Sequence, residues 1–571
     1  MNSFQVKASA SILAFHLALL AAPANAEQMN WRAVVNTNAD NIQPDNFLSL
    51  REAIAAINGN LPLEELSEAE KKQITPGATT PRIEFNLSPQ KTTINLVKLL
   101  PPLSTPGLVI DGTTQPGYDR KELEKQGGAT PVPLVAITPA PDNEVLRGLT
   151  IVADGVTVRG LSLYGFSYPQ GPTATTPSAD IFISHRLPPP DTLGREVPHR
   201  EFPFSEDEDI PPQDVVIEHN WLGVPSGLGT GSRFISQIDR AKNEVARNAK
   251  PEEFGVTASM FVVPTAAKSG SSEEESPITN QLSGFGVYVF NSKGATIHRN
   301  IIANHDGSGI ITSVRARNLI VSDNLIERNG FAGMPDGIRL EGDITNSIIE
   351  GNLIRNNAGS GIFAFKPIGS GEIRDNNITD NGKRYERAAI YLSGNGHLIT
   401  RNRIANQTGT GVTVAAYPES DRVVILDNLF TGLTELSIDL VAQHGTEVKN
   451  YQKGDGPNPE IEFHQRRRQA ANNGINAPSF ISPEFFALNN KTKLIGTALA
   501  SSQVEIYLVV ENGAQQGPLN QAIAKVEAND KGEFAVEISG LQPGDRVTAT
   551  ATHADHGTSE PAFNADIVPL P

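Results

Sequence analysis

No cysteine occurs anywhere in the 571 residues. Disulfide staples and zinc–thiolate sites are therefore excluded, and stability has to come from burial and hydrogen bonding. Positive charge is in short supply, with 47 Lys and Arg against 64 Asp and Glu and a formal charge of −17. That balance argues against nucleic acid and anionic membranes as partners. It also weakens an electrostatic grip on acidic polysaccharide unless basic residues cluster locally. Long apolar runs are missing after residue 26, so no transmembrane segment is expected in the mature chain. Aromatics make up only 6%, whereas Gly (50) and Pro (40) are plentiful, which suits a turn-rich β architecture.

Residues 1–26 read as a secretory signal. Lys7 supplies the positive start, Ile12 to Ala22 is an apolar run broken only by His16, and Ala24-Asn25-Ala26 is an A-x-A cleavage site. An exported bacterial protein is expected, destined for the periplasm, cell surface or medium. "FLSLREAIAAI" (47–57) then predicts one amphipathic helix. Ser49 and Glu52 form a capping box, Leu50, Ala53, Ile54 and Ile57 share a face, and Gly59 ends it.

The centre of the chain repeats itself. The unit is an aliphatic residue, two residues, Asn, one residue, then an apolar residue. Copies are "IEHNWL" (217–222), "IHRNII" (297–302), "VSDNLI" (321–326), "IEGNLI" (349–354), "IRDNNI" (373–378), "ITRNRI" (399–404) and "ILDNLF" (425–430). "VRGLSL" (158–163) carries Leu161 in place of the Asn. From Asn300 the asparagines step by 24, 28, 24, 26 and 26 residues. Between copies an Asn, a gap and Gly-Ile recur, as at Gly309-Ile310, Gly337-Ile338, Gly361-Ile362 and Gly411-Val412. The unit is too short for a four-stranded blade, has no helical period, and lacks leucine-rich-repeat spacing. It fits one coil of a right-handed parallel β-helix, the hand that parallel crossovers prefer.

In such a coil Ile217, Ile297, Val321, Ile349, Ile373, Ile399 and Ile425 form one core column, and Leu222, Ile302, Ile326, Ile354, Ile378, Ile404 and Phe430 a second. The Asn between them sits at a bend, where it tolerates the left-handed region and bonds nearby backbone, and stacked amides can also bond rung to rung; this structural role is expected over a row of Asn that binds sugar. Charges just before it are expected to pair between rungs, Arg299 with Asp323, Asp375 with Arg401 and Arg401 with Asp427, and the column two before the Asn adds Glu350 beside Arg374. The helix at 47–57 then has a role as a lid on the open end of the stack.

The expected organisation is all-β. A signal peptide (1–26) precedes an N-terminal cap and first coils (27–148). The parallel β-helix (149–445) carries inserts at about 164–213 and 223–280. A linker (446–478) leads to an Ig-like β-sandwich (479–571), whose strands read "TKLIGTA", "SQVEIYLVV", "AIAKVEA", "GEFAVEI" and "DRVTATATH". The inserts hold "QIDRAKNEVARNA" and "SSEEES", and the linker holds "HQRRRQ".

"SLREAI" (49–54) resembles the core of the CSLREA-type segment at the front of exported bacterial β-helix proteins, with Leu48 at the family's Cys position. "IDGTTQPGY" (110–118), "NWLG" (220–223), "GDGPN" (454–458) and "RVTATATHADHGTSE" (546–560) are similar to the same group. The resemblance implies a pectate-lyase-like β-helix with an Ig-like tail. It leaves activity open, because this fold serves enzymes, phage tailspikes and adhesins alike.

Enzymes on this fold cleave acidic polysaccharide with paired carboxylates, or with a base and Ca²⁺. The Gly-His-Gly, Arg-Ile-Lys and Asp-Pro-His-Asp signatures are absent. The densest polar cluster is "RLEGD" (339–343) with Asp336, Arg315 and Arg317. If the protein is an enzyme, Asp336, Glu341 and Asp343 are the candidate Ca²⁺ ligands, and Arg315, Arg317 or Arg339 the base or substrate clamp. The competing reading makes Asp306-Gly307 and Asp336-Gly337 equivalent turn positions whose arginines pair with the carboxylates. No cofactor is then required. A non-catalytic surface protein that binds polysaccharide or another surface component is the first expectation, and a polysaccharide lyase, hydrolase or epimerase the alternative.

Overall fold

A computed structural model describes residues 30–123, 130–167, 177–185, 209–226, 282–417, 419–442, 452–460, 470–511 and 513–570. The signal-like segment, "QIDRAKNEVARNA", "SSEEES", "HQRRRQ" and most of both inserts lie outside these residues.

Short β-branched strands wind into a three-faced parallel solenoid. The three sheets hold twelve, ten and nine strands among the described residues. On the first face Ile217, Ile297, Val321, Ile349, Ile373, Ile399 and Ile425 are register partners rung by rung. On the second, Leu222, Ile302, Ile326, Ile354, Ile378, Ile404 and Phe430 are. The Gly-Ile pattern supplies the third, through Ile310, Ile338, Ile362, Ile390, Val412 and Ile438. These residues are 0–2% exposed and form one continuous core.

The repeat Asn residues form a ladder at the corner between the first and second faces. In each, the backbone N–H and the side-chain Nδ2 both donate to Oδ1 of the next Asn. For Asn324 on Asn352 the distances are 2.9 and 3.0 Å. Nδ2 also donates to a carbonyl of the previous rung, Ile297 O at 2.9 Å. The same bonds link Asn220, Asn300, Asn352, Asn376, Asn402 and Asn428. At the Leu161 rung the backbone N–H alone donates to Asn220 Oδ1, at 3.1 Å, and there the ladder ends.

The left-handed residue is not the Asn but the one before it. His219, Arg299, Asp323, Asp375, Arg401 and Asp427 have φ of 52–56°, and Gly351 has 64°. That turn lets the Asn side chain point inward while its neighbour faces solvent. A second ladder at the next corner runs through His305, Asn329, Asn357 and Asn381, again preceded by positive-φ residues.

Helix α1 (Leu50–Ile57) has the expected capping box: Ser49 Oγ accepts from Glu52 N at 3.2 Å, and Glu52 Oε2 from Ser49 N at 2.8 Å. Leu48, Leu50, Ala53 and Ile54 are 0–1% exposed and join the solenoid core. Arg51, 3% exposed, makes a bidentate bond to Asp40 at 2.7 and 2.8 Å and donates to the carbonyls of Lys98 and Leu99. The "SLREAI" stretch thus ties α1 to the first coils.

All five strands expected at the C-terminus are present, in a largely antiparallel sheet with its own apolar cluster around Leu494, Val504, Ile506, Phe534 and Ile567. This sheet sits on the open end of the solenoid and bonds the last strand of every face. Thr558 meets Val423 and Ile425 on the first face. Leu519 O and Asn520 Nδ2 meet Phe430 on the second. Glu560 meets Leu440 N on the third, at 3.0 Å. Tyr507, Leu519 and Ala551 extend the solenoid core into the sheet. Residues 452–460 and 470–475, read from sequence as linker, take part in this seam.

Two of the four expected rung pairs form: Arg374–Glu350 at 2.6 Å and Arg401–Asp375 at 2.7 Å. Asp427 instead pairs with Lys525 of the C-terminal sheet at 2.6 Å, because the sheet reaches that end of the column.

Candidate functional site on the third face

Strand alternation turns one residue in two away from the core. On the third face the outward row, in register, is Thr150, Phe182, Tyr288, Ile311, Arg339, Phe363, Tyr391, Thr413 and Asp439. From Phe182 to Tyr391 all but Arg339 are apolar or aromatic. The Arg339 guanidinium lies 4.7 Å from the Phe363 ring centre and 5.3 Å from that of Phe365, within cation–π range. Its Nε donates to Glu341 Oε1 at 2.5 Å, and one terminal nitrogen to Asp336 Oδ2 at 3.3 Å.

Asp336 is fully buried at the turn entering this strand. Its Oδ1 accepts from Ser360 N at 3.0 Å and from Gln452 Nε2 at 3.2 Å, with Arg387 3.9 Å away. Burial raises the Asp336 pKa, against the pull of Arg339 and Arg387. Because Ile310, Ile338 and Ile362 are register partners, Asp336 is equivalent to Ser308 and Ser360. The expected equivalence with Asp306 is therefore displaced by two residues.

Gly342, at φ 71°, carries the chain out of the strand; a Cβ there would lie 1.7 Å from Ser313 O. This turn separates Glu341 from Asp343. Asp343 faces the other corner, where Arg317 Nε donates to it at 2.5 Å and Thr345 N and Oγ1 at 3.1 and 2.6 Å. Burial works to raise the Asp343 pKa, but the bonds from Thr345 and Arg317 outweigh it and hold the group below its ordinary value. Arg315 turns aside to Asn291 Oδ1 at 2.9 Å and Asp209 O at 2.8 Å. His185 completes that cluster, 2.7 Å from Asn291 and 2.8 Å from Asp209.

The structure thus brings Asp336, Arg339 and Glu341 together, places Asp343 with Arg317, and sets Arg315 in a third group. Among the described residues no group of three or more His, Asp or Glu is placed to hold a metal ion. Sequence reasoning missed Phe363, Phe365, Arg387, Gln452, His185 and Asp209. The outward aromatic row was readable as the residue after each Gly-Ile; Gln452 carries no local signal and Asp209 only its place in the acidic run Glu206–Asp209, since both arrive from distant segments. At the rim of the face Tyr385 is flanked by Arg384 and Arg387, 5.0 and 4.6 Å from its ring. Tyr417 is 67% exposed, with Lys366 4.8 Å above it.

Residues 267–384 match the family model described as "Right handed beta helix region". The solenoid is a right-handed parallel β-helix. No curated protein matches the chain. Similar solved structures include the enzymatically active domain of bacteriophage CBA120 tailspike protein 2, at 9% identity over 85% of this chain and 71% of that one, TM-score 0.32. The Azotobacter vinelandii mannuronan C-5 epimerase AlgE4 A-module is 12% identical over 64% of this chain and 90% of that one, TM-score 0.31. The Streptococcus pneumoniae surface protein and adhesin PfbA is 13% identical over 63% of this chain and 81% of that one, TM-score 0.28. At such identities and TM-scores these likenesses bear on neither substrate nor chemistry. Among the described residues no helix is long and apolar enough to cross a membrane.

Proposed function

We propose that the protein is an exported, non-catalytic β-helix that contacts glycan along the rim of its third face. One observation carries this reading: each carboxylate of the candidate site is held by an arginine of the chain, Asp336 and Glu341 by Arg339 and Asp343 by Arg317. A catalytic acid–base pair needs a group within reach of substrate and not already committed. The face supplies two basic and aromatic groups at its edges, Tyr385 with Arg384 and Arg387 where the chain enters it and Tyr417 with Lys366 where the chain leaves it, on an otherwise acidic chain. Helix α1 serves as the lid of the first coils, and the C-terminal sheet as an Ig-like tail.

The test incubates the full chain with uronate-containing glycans, with and without Ca²⁺. Retention of glycan without unsaturated products or new reducing ends is expected, and Lys366→Ala with Tyr417→Ala should weaken it. The enzyme reading keeps one observation in its favour, the buried Asp336 beside Arg339 with its pKa raised. Product release abolished by Arg339→Ala or Asp343→Ala would replace the binding reading with a lyase, hydrolase or epimerase.

A further inference from the structure

The seam between the last coil and the C-terminal sheet encloses a cavity of about 760 Å³, within the usual range of small-molecule sites, which favour such interfaces. Its wall mixes two kinds of side chain. Phe480 and Phe563 are aromatic, and Phe563 keeps 65% of its surface exposed, although a ring that size is ordinarily worth burying. Asn476, Gln516 and Asn564 are neutral amides, each able both to donate and to accept. Asn564 spends its Nδ2 on the carbonyls of Ala514 and Gly517 and keeps an unpartnered Oδ1 shielded from solvent, and Gln516 spends its Nε2 on the carbonyl of Pro561 at 3.1 Å. Glu560 is held rigid by Leu440 N and Asn458 N at 3.0 and 2.8 Å, fixing one wall to the last coil.

Charge narrows the ligand. Glu460 and Asp530 line the cavity against Lys531, and Glu560, whose pKa burial raises to about 7, adds negative charge only as pH climbs past that value, so no excess of positive charge is there to hold an anion. Neutral amides beside an exposed ring suit a ligand with hydroxyls on its edge and an apolar C–H face. We propose that this cavity binds a short neutral oligosaccharide, at a site separate from the third-face rim.

The experiment titrates the full chain with cellotetraose, mannotetraose and xylotetraose, and with trigalacturonate as the acidic comparison, by calorimetry and saturation-transfer NMR. At least one neutral sugar should bind, with ring-proton contacts. Phe563→Ala should weaken it about tenfold, the loss of one stacking ring. Ala500→Trp, which narrows the cavity at another lining position, should do the same without removing a contact. Tyr417→Ala should leave neutral-sugar binding intact, and Phe563→Ala should leave trigalacturonate binding intact, so the two sites fail independently. Absence of binding by all three neutral sugars, or binding that survives both Phe563→Ala and Ala500→Trp, would overturn the proposal.

Discussion

A buried asparagine amide is costly unless every donor and acceptor is met. The ladder meets them by repetition: each Oδ1 takes two bonds from one neighbour, and each Nδ2 reaches both ways along the column. Asn352→Ala should therefore do more than remove one residue's bonds. It strands the Asn324 N–H and one Nδ2 hydrogen, both aimed at Asn352 Oδ1. Two orphaned buried donors cost about 2–6 kcal/mol, measurable by urea unfolding; a loss under about 0.5 kcal/mol would mean that water replaces the ladder. Gly342→Ala tests strain in the same way. Its Cβ meets Ser313 O at 1.7 Å in a left-handed turn, so the backbone must move, and a loss of at least about 2 kcal/mol is expected by thermal unfolding. The sequence made the Asn column legible because Asn recurs at fixed spacing. It did not reveal which residue takes positive φ, since Arg and His carry no turn signature and His219, Arg299 and Arg401 are there only because the coil forces the corner.

At the scale of an element, periodicity decides what can be read. The Ile-x-x-Asn-x-Ile unit contains two faces and the corner between them, so both core columns and their register follow from one motif. The third face is marked only by Gly-Ile, and its outward aromatic row comes from residues one step beyond that mark. Helix α1 is legible to the hydrogen bond, because a capping box is local. What the helix grips is not. Arg51 reaches Asp40 and two carbonyls some 48 residues on, and its charge is buried. Removing one partner of a buried ion pair leaves the other uncompensated, at about 3–5 kcal/mol. Arg51→Ala should lower thermal stability by that amount and expose the first coils to protease. Arg51→Lys should recover only part of it, because an ammonium cannot make the bidentate contact. Equal stability of all three proteins would show that α1 is held by its apolar face alone.

For the whole molecule the decisive feature is the closed end. Three final strands would otherwise offer unpaired backbone to other chains, and the C-terminal sheet bonds each one. No sequence pattern announced this docking, which rests on contacts made across 90 to 133 residues by Asn520, Thr558 and Glu560. The third-face contact is built from acids: Asp439 accepts from Asp455 N and Gly456 N, and Glu560 accepts from Leu440 N and Asn458 N. Burial pushes the Glu560 pKa from 4.5 up to about 7, against its backbone bonds and with a further push from Asp455. Asp439 is raised by burial, then by the charges of Glu560 and Asp455. A carboxyl whose folded pKa is raised binds its proton more tightly in the folded state. Its contribution to stability is complete below about pH 4.5 and fades as pH climbs through about 7. Asp111 and Asp343 are shifted downward and act in the opposite sense, but only in more acidic solution, since both are already ionised across this window. The seam should thus loosen between pH 4.5 and 7.5. Glu560→Gln keeps an acceptor for Leu440 N but cannot ionise. Its melting temperature relative to the parent should rise steadily across that interval in calorimetry, and more parent than variant should be nicked between solenoid and sheet at pH 7.5. A difference that stays constant with pH would mean that Glu560 remains ionised in the folded seam, its backbone donors outweighing burial.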